Sequence, residues 1–273
     1  MTTAPSNIDP TTLVQQASDW WNTAIIDIRP GVIRTRGRPI QDLIGSVSFP
    51  QMIWLMLRGD LPSPAQARLL EAALVAAVDH GPQAPSIAIA RMAVTCGLPL
   101  NGAMASAINT LDDVHGGAGE QCLGLYLRAR ALVADADTET GVATALDEYV
   151  AANGKIVSGF GHRFHPVDPR VKPLLDLVDA ARAEGVVSGE FAAIGRATEA
   201  ALHQRTGKAL PMNIDGVTAV VYGELGFEAP LARGLFVLSR SVGILAHAWE
   251  QSQQQHRIKG PMPTSIPYRY TGA

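Results

Sequence analysis

The sequence is short of charged, aromatic and cysteine residues. Its 273 residues include two cysteines, 5% aromatic residues and 17% charged residues, whereas a typical soluble domain has about 25% charged residues. The chain therefore offers little polar surface to water, and we expect a partner subunit to cover some of its apolar surface. A formal net charge of -3 provides no broad basic field, which argues against charge-driven binding to nucleic acid or to a membrane.

The cysteine pattern and the N-terminus exclude further classes. Cys96 and Cys122 lie in apolar contexts with no CxxC motif and no histidine at metal-ligand spacing, so we expect both to be reduced and inert. Residues 1–10 are polar and lack a basic segment followed by an apolar one, and no apolar run reaches the roughly 18 residues of a membrane span. The sequence thus predicts no signal peptide and a cytoplasmic protein.

Helix signals separated by short glycine and proline turns fill most of the chain. Ser63-Pro64-Ala65-Gln66 is typical of a helix start, and apolar residues then recur at helical spacing until Gly81 and Pro82. This pattern places His80 at a helix C-terminus. Similar patterns predict helices near residues 48–58, 84–95, 102–114, 119–133, 141–152, 170–184, 189–205, 214–224 and 230–254. Strand-like alternation is confined to residues 24–34, so the predicted fold class is all-α.

The long C-terminal helix is predicted to be buried around most of its circumference. Its apolar stripe consists of Leu235, Leu238, Val242, Leu245 and Trp249. Arg240 lies within this run, and a buried guanidinium needs an anionic partner. Two interpretations stay open: an ion pair with a core carboxylate, or a clamp for a substrate carboxylate.

Four polar segments interrupt the helical pattern. His115 and His162 lie in glycine-rich segments where a small molecule can approach closely, although each histidine can also simply cap a helix end. Asp215 precedes an apolar helix and is either an N-cap or a general base. Asp168-Pro169-Arg170 has the order of a cap, a first-turn proline and an arginine close enough to His162 to share its pocket.

Six motifs, in this order along the chain, resemble the citrate synthase superfamily. They are Arg36-Gly37-Arg38-Pro39-Ile40, Gly59-Asp60-Leu61-Pro62, Gly161-His162-Arg163, Asp168-Pro169-Arg170, Asn213-Ile214-Asp215 and Ser239-Arg240-Ser241-Val242-Gly243. Each motif alone is weak evidence for the resemblance, but the combined pattern from about residue 34 to 258 is specific to this superfamily. The resemblance implies a citrate synthase-like helical fold with a large domain, 1–117 and 218–273, and an inserted small domain, 118–217. It also implies a homodimer with its active site in the cleft.

The resemblance also implies a set of site residues. The catalytic residues fall on His115, His162 and Asp215, and the carboxylate ligands on His80, Arg170 and Arg240. The coenzyme A ligands fall on Val157, Ser158, Gly159, Phe160, Gly161 and Arg163. Coenzyme A enters as part of the substrate, and no metal or other cofactor is expected.

Two departures from the citrate synthase pattern favour the lyase side of the superfamily. The chain is much shorter than a typical citrate synthase, and Gly260 stands where those enzymes commonly carry a substrate-binding arginine. Asp79-His80-Gly81-Pro82 is similar to a segment of the citryl-CoA-cleaving module of ATP citrate lyase. We therefore expect a carbon-carbon lyase that cleaves (3S)-citryl-CoA to acetyl-CoA and oxaloacetate.

Three alternatives to this activity stay open. The same residue types serve a citrate or 2-methylcitrate synthase, which condenses an acyl-CoA with oxaloacetate. The missing arginine at Gly260 also fits a lyase for another 3-hydroxy-3-carboxyacyl-CoA. A catalytically silent CoA-binding subunit is the alternative from a different class.

Overall fold

The structure is a computed structural model that describes residues 9–133, 137–161 and 166–272. His162 and Arg163 therefore lie outside the described residues. The chain divides into two compact units, residues 1–67 and 68–273. The large and small domains implied by the family resemblance stay a prediction.

The first unit combines short helices with a small sheet. Its elements are α1 (Pro10–Trp20), β1 (Ile26–Arg29), β2 (Val32–Thr35), β3 (Arg38–Pro39), α2 (Ile40–Leu43) and α3 (Phe49–Arg58). The strands form an antiparallel sheet in the order β1-β2-β3, with Ile28 opposite Ile33. Gly31, with φ of 76°, lies in the turn between β1 and β2. The short ribbon predicted for residues 24–34 is confirmed.

The second unit is helical. Its helices are α4 (Pro64–Ala76), α5 (Pro85–Thr95), α6 (Leu100–Ile108), α7 (Ala118–Val133), α8 (Thr138–Asn153), α9 (Val171–Ala183), α10 (Glu190–Thr206), α11 (Ile214–Glu224) and α12 (Ala229–Gln253). Ala90, Ala103, Ala107 and Ala248 are buried between α5, α6 and α12, and their small side chains let the three helices approach closely. The predicted helical fold class is confirmed.

Two helices end earlier than predicted, and both ends create the turns that carry histidines. α4 ends at Ala76, and in the turn that follows it the Asp79 carboxylate accepts the backbone N–H groups of His80 and Gly81. α6 ends at Ile108, and beyond it the Asp112 carboxylate accepts the N–H of Asp113. Short polar side chains that bond to nearby backbone compete in this way with helix continuation.

The burial predicted for α12 holds on one side of the helix only. Leu235, Ile244 and Ala248 are buried, because α5, α6 and α7 pack against that side. Leu238, Val242, Leu245 and Trp249 are between 41% and 58% exposed. The prediction of burial around most of the circumference is therefore wrong for the single chain. By length and composition α12 would also pass as a membrane span, but its packed face and buried Arg240 are those of a core helix.

Candidate active site

A cleft of about 810 Å³ in the second unit is lined by the predicted catalytic and carboxylate-binding side chains. Each comes from a different element. They are His80 from the turn after α4, His115 from the loop before α7, Arg170 before α9, Asp215 from α11 and Arg240 from α12. The structure thus brings together every predicted catalytic and carboxylate-binding residue that it describes.

His115 is held as a neutral imidazole with a defined tautomer. The backbone N–H of Ser86 donates to His115 Nε2 at 3.1 Å, and the backbone oxygen of His115 accepts the N–H of Asp112 at 3.0 Å. A backbone N–H can only donate, so Nε2 accepts and the proton of the neutral ring lies on Nδ1. Burial lowers the pKa of His115, and the positive charge of Arg240 lowers it further. His115 can therefore donate a hydrogen bond without carrying a charge.

Asp215 lies in the first turn of α11 and is not its N-cap. The cap is Asn213, whose side-chain oxygen accepts the N–H groups of Asp215 at 3.0 Å and Gly216 at 3.3 Å. Burial raises the pKa of Asp215, although the charges of Arg170 and Arg240 partly oppose this shift. A buried carboxyl group of raised pKa keeps its proton more firmly than an exposed one and can act as an acid in the cleft.

Arg170 is fixed by a buried carboxylate. Its Nε and Nη2 donate to the two carboxylate oxygens of Asp168 at 2.9 and 2.8 Å. Asp168 also accepts the N–H of Ile214 at 3.0 Å, which links Arg170 to the start of α11. Burial alone would raise the pKa of Asp168, but these hydrogen bonds and the charge of Arg170 lower it to about 2. Arg170 is thereby oriented at the cleft.

Arg240 is 6% exposed and lines the cleft without a salt bridge to any described residue. Its Nε donates to the Ala77 oxygen at 3.3 Å, and its guanidinium stacks on Phe236 with 4.9 Å between Cζ and the ring centroid. Burial lowers the pKa of Arg240, while the charges of Asp79 and Asp215 act in the opposite direction. Of the two sequence interpretations, the ion pair with a core carboxylate is absent from the described part of the chain.

The turn that carries His80 packs closely against α12. A side chain at Gly243 would collide with the backbone oxygen of Val78, so this approach requires glycine. Asp79 accepts a hydrogen bond from His247 Nε2 at 3.2 Å. Burial alone would raise the pKa of Asp79, but this hydrogen bond and those from backbone N–H groups lower it below its ordinary value. The two residues directly before His80 are therefore fixed to α12.

The predicted coenzyme A loop is joined to the segment that precedes α11. Asn213 N donates to the Gly159 oxygen at 2.9 Å, and Asn213 Nδ2 donates to the Gly161 oxygen at 2.7 Å. Gly159 has φ of 90°, and a Cβ there would lie 2.5 Å from Cys122 Sγ. None of the residues 157–161 lines the cleft itself, although Asn213 does. Arg163 and His162 follow directly, outside the described residues.

Sequence reasoning missed three residues that shape this site. Asp168 was interpreted as a helix cap, yet it is the buried partner of Arg170. Phe236 precedes Arg240 by one helical turn, so helical periodicity alone could have paired them. Ser86 lies 29 residues before His115, and no sequence signal links the two. Within residues 9–133, 137–161 and 166–272, no group of three His, Cys, Asp or Glu side chains is arranged to hold a metal ion.

Comparison with known proteins identifies the family of this chain. Residues 62–262 match the model of the C-terminal domain of citrate synthase. The chain therefore belongs to the citrate synthase family. It is 30% identical over 240 residues to the citrate synthase of Heyndrickxia coagulans, covering 86% of this chain. It spans only 58% of that relative's length.

Solved structures with the same fold come from lyases as well as synthases. Citryl-CoA lyase from Hydrogenobacter thermophilus matches with a TM-score of 0.81 and 30% identity, over 93% of this chain and 95% of that one. ATP citrate lyase from Methanosaeta concilii matches with a TM-score of 0.76 at 21% identity, over 100% of this chain and 46% of that one. The second match reflects the fold alone.

Proposed function

We propose that the protein is a citryl-CoA lyase that cleaves (3S)-citryl-CoA to acetyl-CoA and oxaloacetate. The observation that carries this proposal is the convergence of a neutral histidine, a carboxyl group of raised pKa and two arginines on one cleft. The likeness to the Hydrogenobacter thermophilus citryl-CoA lyase over nearly the full length of both chains favours cleavage over condensation. Gly260 and the Asp79-His80-Gly81-Pro82 segment favour it as well.

The reaction is a retro-Claisen cleavage in which each group moves one proton or holds one charge. His162 takes the proton of the C3 hydroxyl as the bond between C3 and the methylene carbon breaks. The electron pair of that bond forms the thioester enolate, whose oxygen accepts a hydrogen bond from His115 Nδ1. Asp215 then donates its proton to the terminal carbon and gives acetyl-CoA. Its raised pKa keeps this proton available at higher pH.

The cationic side chains supply orientation. Citryl-CoA carries two carboxylates, and Arg170 and Arg240 present two guanidinium groups to the cleft, with His80 beside them. Arginine suits this task because its planar fork binds a carboxylate through two parallel hydrogen bonds. Fixing both carboxylates aligns the bond that breaks. Residues 157–161 and Arg163 would contact the coenzyme A part of the substrate.

The second candidate is a citrate or 2-methylcitrate synthase. The Heyndrickxia coagulans relative is a citrate synthase, and the same three catalytic residue types serve condensation. The two activities differ in direction and in hydrolysis of the thioester. A lyase must exclude water from citryl-CoA, whereas a synthase must admit it.

The proposal includes a homodimer in the cytoplasm. The stripe of Leu238, Val242, Leu245 and Trp249 on α12 is exposed in the single chain, and a second copy would cover such an apolar face. Closure of the proposed large and small domains around the cleft would exclude water from the thioester.

Two incubations test the proposed function. Purified protein receives either synthetic citryl-CoA, or acetyl-CoA with oxaloacetate, while thioester absorbance and free thiol are followed. The lyase produces acetyl-CoA and oxaloacetate from citryl-CoA without free coenzyme A. Release of free coenzyme A from acetyl-CoA and oxaloacetate indicates the synthase. Inactivity in both incubations, with turnover of a different 3-hydroxy-3-carboxyacyl-CoA, would assign the alternative lyase.

A further inference from the structure

Arg233 of α12 contacts three carboxylates that lie on both sides of His115 in the sequence. Its Nη1 donates to Asp112 and its Nη2 to Asp113, each at 2.5 Å, and its Nε donates to Glu120. Asp112 and Asp113 belong to the turn after α6, whereas Glu120 lies in the first turn of α7. One guanidinium thus joins the two ends of the segment that carries His115.

The charge balance of this cluster depends on Arg233. Hydrogen bonding to Asp113 raises the pKa of Arg233; burial opposes this shift, and the bond and charge of Glu120 add to it, so the guanidinium stays charged. A single exposed ion pair contributes little to stability, but this side chain is 23% exposed and serves three partners. Without it, three neighbouring carboxylates would repel one another.

Gln121 extends the same network to the loop proposed to bind coenzyme A. Its Nε2 donates to the backbone oxygen of Asp113 at 3.1 Å, and its Oε1 accepts from the Ser158 hydroxyl at 2.6 Å. Tyr149 donates to Ser158 Oγ at 3.1 Å and holds the hydroxyl in place. A continuous chain of hydrogen bonds therefore connects Arg233 with residue 158.

We infer that Arg233 and Gln121 are positioning residues. They hold the His115 turn, residues 112–117, in a fixed position relative to the Ser158 loop, residues 157–161. The catalytic part of this inference rests on the proposed function, in which His115 meets the thioester and the loop meets coenzyme A. A displacement of about 1 Å at a reacting group can lower a rate about 100-fold, so a brace on this turn matters for turnover.

The first test needs no activity. Arg233→Met removes the brace, and Arg128→Met is the matched control, because Arg128 makes an exposed two-bond pair with Glu148 at 2.7 and 2.8 Å. Backbone hydrogen exchange over residues 112–117 should become about tenfold faster in Arg233→Met only, since local opening sets exchange rates. Unchanged exchange in Arg233→Met overturns the inference, whether or not the protein is active.

The second variant tests the link to the loop. Gln121→Leu keeps the three ion pairs of Arg233 and removes both hydrogen bonds of the amide. Faster exchange over residues 157–161 supports the coupling of the two segments. Exchange at those residues equal to that of the unmodified protein overturns it.

Kinetics separate positioning from general stability. With citryl-CoA, Arg233→Met should lower kcat about 100-fold with KM changed less than about threefold, and Arg233→Lys should recover part of the loss. Equal losses in Arg233→Met and Arg128→Met would overturn the positioning role. If the unmodified protein turns over neither citryl-CoA nor acetyl-CoA with oxaloacetate, the proposed function fails, and the exchange experiment still decides the brace.

Discussion

Arg240 and Phe236 lie one turn apart on α12, and the guanidinium of Arg240 stacks on the Phe236 ring at 4.9 Å. The ring covers one face of a buried cation whose Nε donates to the backbone oxygen of Ala77. A buried guanidinium without a carboxylate partner among the described residues has a strong preference for an anion. This relationship supports the proposed role of Arg240 as a carboxylate receptor of the cleft.

Replacing Arg240 with methionine should separate binding from folding. Substrate affinity should fall about 100-fold, because a two-bond charged contact is lost. The free energy of unfolding should stay unchanged or rise by about 1 kcal/mol, since a buried charge is removed. Steady-state kinetics and urea unfolding measure the two effects. Unchanged kinetics would make Arg240 a structural residue.

Asp215→Asn should abolish proton delivery and leave the fold intact. We expect turnover to fall about 10³-fold, within the range for loss of a general acid, with substrate binding retained because Arg170 and Arg240 remain. Circular dichroism controls for folding. A variant with a near-normal rate would remove Asp215 from the chemistry.

The tautomer of His115 depends on a backbone group, and two variants can show this. Ser86→Ala keeps the N–H that donates to Nε2, so activity should change less than about threefold. His115→Ala removes the hydrogen bond to the developing enolate and should lower turnover about 100-fold or more. Comparable losses in both variants would contradict the backbone role and point to the Ser86 hydroxyl, whose oxygen lies 3.0 Å from His115 Nε2.

Asp168 should make stability depend on pH in the acid range. Its folded pKa of about 2 lies below the ordinary value of 3.8, so the unfolded chain binds more protons between these values. The resulting stabilisation, about 2 kcal/mol, is complete above pH 3.8 and is lost as the pH falls through about 2. Urea unfolding across this range should show the loss in the unmodified protein. Asp168→Asn should lack it, and an identical pH profile would refute the assignment.

Two glycines of α12 provide a matched pair. Gly243→Ala places a methyl group against the Val78 oxygen, whereas Gly234→Ala meets open space. Gly234→Ala should stabilise the protein by up to about 1 kcal/mol through helix propensity. Gly243→Ala should destabilise it and raise KM, because the His80 turn is displaced. Similar effects on stability and KM in both variants would show that this contact is unimportant.

The sequence predicted the helices well where apolar periodicity and caps agree, as in α4 with its Ser63 and Gln66 capping box. It failed at the ends of α4 and α6, which stop before the turns in which Asp79 and Asp112 bond to nearby backbone N–H groups. Such bonds depend on the local turn rather than on hydrophobic period.

Contacts between residues far apart in the sequence set a second limit on prediction from the sequence. The contact of Ser86 with His115 and that of Arg233 with Asp112 join residues 29 and 121 positions apart, which no local pattern encodes. The exposed stripe of Leu238, Val242 and Trp249 was predicted as buried, because apolar periodicity does not distinguish a core from an exposed apolar face.

Cleavage of citryl-CoA in deuterated water tests the lyase activity and the proton transfer from Asp215 together. Mass spectrometry of the products should detect oxaloacetate and acetyl-CoA with one deuterium in its methyl group, because Asp215 exchanges with solvent before it delivers its proton. The Asp215→Asn variant should give no labelled product. Citrate and free coenzyme A without acetyl-CoA would contradict the lyase assignment.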